Sequence, residues 1–167
     1  MSETNMMDQL IKEAERVHES AMYSAQTQFE YSKSWRFVDR WLSGGSAIMA
    51  AIAGVGALSE VVSSAIAGVV ALGAAGLGAV ASSLGAPKTK TAAHAAANAY
   101  LALQQDARIF INVDVSKMSY DDARQALSSL VARQQELNTT AEIPSVSAWK
   151  KAKKSVESGF QEYEADK

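Results

Sequence analysis

Between Trp41 and Ala86 the chain holds a single charged residue, Glu60, in a run of forty-six. The flanks are different in kind: twelve charged residues lie in Met1 to Arg40 and twenty-one in Pro87 to Lys167. A block so depleted of charge is read as having a different solvent from the rest. Glu60 divides it into Trp41 to Ser59, nineteen uncharged residues, and Val61 to Ala86, twenty-six. Each half can form a helix of about 30 Å, the hydrocarbon thickness of a bilayer. The expectation is therefore a transmembrane helical hairpin over residues 41–86 with its turn at about 59–62.

The spans are mild rather than greasy. Leu42, Ile48, Ile52, Val55 and Leu58 give the first roughly -1.5 to -3 kcal/mol of insertion free energy, and the nine Val, Ile and Leu of the second give about twice that. Orientation follows from the flanking basic residues. Lys33, Arg36 and Arg40 precede the block, Lys88 and Lys90 follow it, and the turn has none, so both termini are expected on the cytoplasmic side. Trp35 and Trp41, with Phe29, Tyr31 and Phe37, stand where amphipathic rings anchor a helix at the headgroups, or else pack within a cytoplasmic bundle.

Small residues recur at helical spacing within the block. Ser46, Ala50, Ala53 and Ala57 lead to Glu60 in the first half, and Ser64, Gly68, Ala71, Ala75, Gly78 and Ser82 form a stripe in the second. Such stripes let helix backbones approach closely where lipid removes the hydrophobic incentive. Two of them on one hairpin suggest partners beyond the hairpin, hence a homo-oligomer in the lipid bilayer. The sharper reading makes these positions pore-lining, with Glu60 as a ring of carboxylates at the mouth. The plainer one has them pack helices, with Glu60 wetting a turn.

The polar parts read as helices. In residues 1–40, Leu10, Ala14, Val17, Ala21, Ala25 and Phe29 recur every three or four positions, marking a long cytoplasmic helix that leads into the membrane. In residues 87–167, a helix from Thr91 to about Ile109 has Ala95, Tyr100, Leu101 and Leu103 among its apolar positions. Ile109 to Val115 alternates like a strand and is read as an extended connection or a frayed helix end. Ser119 before Asp121 and Asp122 is an N-cap for a helix to about Leu137. Ser147 can cap a last helix with the stripe Trp149, Ala152, Val156 and Phe160. The fold class expected is all-α: a long N-terminal helix, a two-helix transmembrane hairpin and C-terminal cytoplasmic helices.

Composition narrows the function. The net charge of -2 gives no reason to expect nucleic acid as a direct partner, the absence of Cys removes disulfide and thiolate-metal chemistry, and the polar start is no cleavable signal peptide. His18 and His94 have no ligand pattern around them. GVG (Gly54 to Gly56) and GAAGLG (Gly73 to Gly78) resemble phosphate loops but follow no strand and carry no lysine, so they are read as helix packing. No nucleophile, base, metal or cofactor constellation is found, and no enzyme is expected. Lys150, Lys151, Lys153 and Lys154 in WKKAKK could meet a phosphate group or anionic lipid, or simply form a solvated face.

Three stretches carry a family resemblance: FEYSKSWRFVDRWLSGGSAIMAAIAGVGA (Phe29 to Ala57), HAAANAYLALQQDAR (His94 to Arg108) and ARQALSSLVARQQELNTTAEIPSVSAWKKAKKSVESG (Ala123 to Gly159). In these the chain resembles the SLATT domains, small two-transmembrane proteins associated with nucleotide-generating or nucleotide-sensing genes in bacterial conflict systems. The SGG at Ser43 to Gly45 departs from the stiffer start expected of the first span. The resemblance implies an inner-membrane effector that oligomerises into a pore or disruptor when a partner encoded nearby detects phage, halting or killing the cell. Two other readings stay open: a soluble conditional inserter that hides its hairpin in a bundle, and a non-conducting scaffold that recruits a partner.

Overall fold

The apolar stripe of the N-terminal region becomes one face of an unbroken helix, α1, Glu3–Leu58. In the computed structural model, which describes residues 3–58 and 64–159, α1 is followed by α2 (Ser64–Leu84), α3 (Ala86–Ile109), α4 (Tyr120–Thr140) and α5 (Val146–Glu157). Every element among the described residues is helical, and no strand occurs among them. The expected turn at 59–62, with Glu60, lies outside the described residues, as does Phe160. The Ser43 to Gly45 step does not interrupt α1, although each glycine costs a helix about 1 kcal/mol relative to alanine.

The chain separates into two units, Met1–Tyr31 with Ala92–Lys167, and Ser32–Thr91.

In the first unit the core is built on α1, α3 and α4. Ala14, Val17 and Ala21 of α1 meet Leu103 and Ala107 of α3 and Ala123 and Leu127 of α4, with Phe110 and Val115 between. The buried face of α3 runs Ala93, Ala97, Tyr100, Leu103, Ala107, at spacings of four and three. Ala95, expected among its apolar positions, is exposed, because it lies a half-turn from that face.

The segment Ile109 to Val115 is not extended. Phe110–Asp114 forms a π-turn closed by the Val115 N–H donating to the Phe110 carbonyl, and Val115–Lys117 continues as a 3-10 turn. In an α-helix residues five apart diverge by about 140°, whereas the wider π-turn brings them nearly into line. Phe110 and Val115 are thereby both buried, and Asn112 Nδ2 donates to the Arg108 carbonyl beside the turn at 3.0 Å. The alternation in IFINVDV reflects this change of helical pitch.

Ser119 caps α4 as its sequence suggests: its Oγ accepts the Asp122 N–H and donates to Asp122 Oδ2 at 2.7 Å. The cap of α5 is Ser145, not Ser147. Its Oγ accepts the Ala148 N–H at 3.3 Å, and Ser147 only shares a hydroxyl contact with it. Ala148 and Ala152 are the buried residues of α5, while Trp149 is half exposed.

In the second unit the end of α1 packs against α2 and the start of α3. Ser32 Oγ donates to the Lys90 carbonyl, Lys90 Nζ bonds Asp39 Oδ2 at 2.9 Å, and a Cβ placed on Gly73 would stand 3.0 Å from Met49 Cε. Positions advance along α1 as they fall along the return path, so the helices are antiparallel. Gly85 joins α2 to α3 with φ +59°, the left-handed region open to glycine, and its carbonyl accepts from Lys88 and Thr89 N–H. Pro87 then sits in the first turn of α3, where its missing N–H leaves no bond unmade.

Candidate functional site

The feature that sets the second unit apart is what it buries. Among the described residues its buried apolar side chains are Ala53, Ala74 and Ala86, while Ile48, Ile52, Val55, Ile66, Val69, Leu72, Val80 and Leu84 point outward. Leu72 is 75% exposed and Val69 69%. Water as the surrounding solvent would favour burying each of these larger side chains by roughly 1.5–3 kcal/mol. Among the described residues of this unit the fully buried apolar side chains are alanines, Val70 and Leu77 are half-buried beside them, and most of the large side chains point outward, the reverse of a water-soluble core.

The contact between the two helices does not use the small-residue stripe of α2. Ala74 is buried there with Val70 and Leu77 half-buried, whereas Gly68, Ala71, Ala75 and Ser82 are exposed and Gly78 is half-buried. On α1, Ala53 is buried and Ser46 half-buried, and Ala50 is exposed. The side chains of Ala57 and Ser64 lie outside the described residues, as Glu60 does. A Cβ at Gly68 or Gly78 would meet nothing within 4 Å, so each leaves its backbone open to a neighbour. Three hydroxyls in the apolar region bond inside their own helices: Ser46 donates to the Ser43 carbonyl, Ser82 to Gly78 and Ser83 to Ala79.

Among the described residues one helical run, Gly68–Lys117, is long and apolar enough to cross a membrane by length and composition, and 12% of its apolar stretch is buried. The run begins in α2, which has no charged residue. Polar and aromatic groups gather at the other end of the unit. Arg36, Arg40 and Lys88 are exposed and Lys90 is held by Asp39. Phe37 and Trp41 are exposed with ring centroids 5.9 Å apart, and Trp35 is half-buried.

The first unit contains an open cleft of about 410 Å³, with Tyr23, Thr27, Gln28, Tyr100, Asn138 and Trp149 on its wall. Four consecutive residues of α1 at this level, Ala25 to Gln28, are buried, so polar side chains are enclosed with them. Gln28 Nε2 donates to the Glu142 carbonyl at 2.8 Å, and the Tyr100 hydroxyl donates to Asn138 Oδ1 at 2.8 Å. Burial raises the Tyr100 pKa above its ordinary value, keeping that donor protonated. The Oε1 atoms of Gln28 and Gln104 are buried without a hydrogen-bond partner, at a cost of about 1–3 kcal/mol each. Among the described residues on the wall of this cleft, Glu142 is the charged one.

Neither histidine is placed for metal or proton chemistry. His94 meets the Phe29 ring edge to face at 5.6 Å, and the His18 pKa is lowered by burial and then by Arg108. Among the described residues no group of His, Asp or Glu could hold a metal ion. Lys150, Lys151, Lys153 and Lys154 are all exposed on α5, with Lys153 Nζ 5.5 Å above the Trp149 ring. Compared with known proteins, the chain matches no family model, no curated protein and no solved structure.

Proposed function

We propose that the chain is a membrane effector whose Ser32–Thr91 unit lies in the bilayer as a two-span hairpin and assembles with further copies into a pore. The observation that carries this reading is the packing of that unit, whose fully buried apolar side chains among the described residues are alanines while most of its Ile, Val and Leu point outward. Lipid is as apolar as leucine, so it removes the penalty that water would place on such a surface. The exposed Gly68, Ala71 and Ala75 then provide the close approach between copies. The basic residues at one end, Arg36, Arg40 and Lys88, support a topology with both termini on the cytoplasmic side of a bacterial inner membrane.

The role in a bacterial conflict system, with cell suicide as its outcome, rests on the SLATT resemblance, as does a nucleotide-generating or nucleotide-sensing partner.

Expression of the chain with its trigger should release potassium and collapse the membrane potential, read by efflux and a potential-sensitive dye. A chain that oligomerises in the membrane and resists alkaline extraction, yet leaves ion flux and potential unchanged under every trigger, would be a scaffold and would overturn the pore.

A further inference from the structure

The cluster WKKAKK is not the whole of its surface. Ile143, just before α5, is 90% exposed, Val146 71% and Trp149 49%. Three large apolar side chains at intervals of three residues therefore project where α5 begins, and isolated surface hydrophobes seldom line up in this way. On the helix, Val146, Trp149, Lys150 and Lys153 fall within about a third of a turn of one another, opposite the buried Ala148 and Ala152.

Ile143 and Trp149 also border the open cleft beside α1, and two hydrogen bonds tie this region to α1. Gln28 Nε2 holds the Glu142 carbonyl at 2.8 Å on one side of it, and Gln26 Nε2 holds Ser155 Oγ at 3.3 Å on the other. Both glutamines are buried residues of α1, so the inner face of α5 is fixed and the outer one presented. Lys153 lies over the Trp149 ring and pairs with Glu157 at 3.7 Å at the C-terminal end, and Glu142 is exposed beside Ile143 at the other. Lys150, Lys151 and Lys154 surround the apolar residues with positive charge.

We infer that the Ile143 to Lys154 surface is a membrane-surface contact that docks on anionic phospholipid, with Ile143, Val146 and Trp149 entering the headgroup boundary and the lysines meeting lipid phosphates. Charge complementarity selects this occupant: a bilayer leaflet offers dispersed anionic groups over an apolar layer, matching a basic helix face with projecting apolar residues. The patch lies wholly in the first unit, so the inference does not depend on the hairpin spanning the bilayer or conducting ions.

The chain has no cysteine, so Val146→Cys provides a unique thiol for the environment-sensitive dye NBD. The full chain so labelled is placed with vesicles of phosphatidylcholine alone, or with about one-third phosphatidylglycerol. The dye should be roughly threefold brighter and blue-shifted with the anionic vesicles, and this difference should vanish at about 0.5 M NaCl. Lys150→Glu with Lys153→Glu should abolish it, with helicity unchanged because both lysines are exposed. Equal emission from the two vesicle types, or a difference indifferent to salt and to the lysine changes, would overturn the contact and leave the surface to a protein partner. Absence of ion efflux would bear on the pore alone.

Discussion

Leu103→Ala should destabilise the first unit by roughly 3–5 kcal/mol and lower its thermal midpoint by about 10–20 °C. Among the described residues Leu103 is the one large side chain with less than 2% exposure. Its core neighbours include Ala14, Val17, Ala21 and Ala107, short side chains on helices that already pack closely. Such walls cannot move in to fill the space a leucine leaves, and the cost of a core truncation rises with the cavity that persists. Ile109→Ala is the comparison: Ile109 is near the end of the same helix but 47% exposed, and its loss should change stability by less than about 0.5 kcal/mol. Thermal unfolding of the detergent-solubilised chain by circular dichroism measures both. Equal small losses would show that the helices relax around position 103.

Changing Gly68, Ala71 and Ala75 together to Leu should leave the chain helical and in the membrane but reduce cross-linked oligomer at least about tenfold. The three positions are exposed in the single chain, and a Cβ at Gly68 meets no atom within 4 Å, so the added volume projects outward. Leucine is also a better helix former than glycine by about 0.8 kcal/mol and more favourable in lipid. What it removes is the close approach of one backbone to another, which drives helix association where lipid and side chain are equally apolar. Potassium efflux should fall with the oligomer. If oligomer and efflux both persisted, copies would meet through another face.

The helices of this chain are legible in its sequence because their burial is periodic. Ala14, Val17, Ala21 and Ala25 form the stripe read from spacing alone, and Ser119 caps α4 where its neighbours Asp121 and Asp122 suggest. The π-turn is hidden, since the pattern of IFINVDV mimics a strand and only the change of pitch brings Phe110 and Val115 onto one side. The cap of α5 is ambiguous because Ser145 and Ser147 stand two apart, and the choice depends on which hydroxyl faces the Ala148 N–H. The burial of Gln26, Thr27 and Gln28 has no signal in the local pattern: Gln26 and Gln28 find partners far along the chain, at Ser155 and Glu142, and Thr27 donates to the Tyr23 carbonyl within its own helix.

The candidate site is legible in part for a related reason. Periodicity finds the small-residue stripe of α2, but it cannot say which stripe a helix turns toward its own chain. The structure turns Val70, Ala74 and Leu77 toward α1 and leaves Gly68, Ala71 and Ala75 outside. The apolar patch beside WKKAKK escaped the sequence reading because Ile143 lies before the helix and its exposure comes from the loop that Gln28 anchors.

The most direct test of the central claim is solvent access at Leu72, 75% exposed on α2. In a chain otherwise without cysteine, Leu72→Cys and Ser116→Cys each introduce one thiol. Maleimide alkylation requires the thiolate, which forms in water and not in hydrocarbon. In membrane vesicles the thiol at position 116 should react with a water-soluble maleimide, while that at 72 stays unlabelled until the chain is denatured. Alkylation at 72 as fast as at 116 would mean that water bathes the apolar face, and the bilayer account would fail.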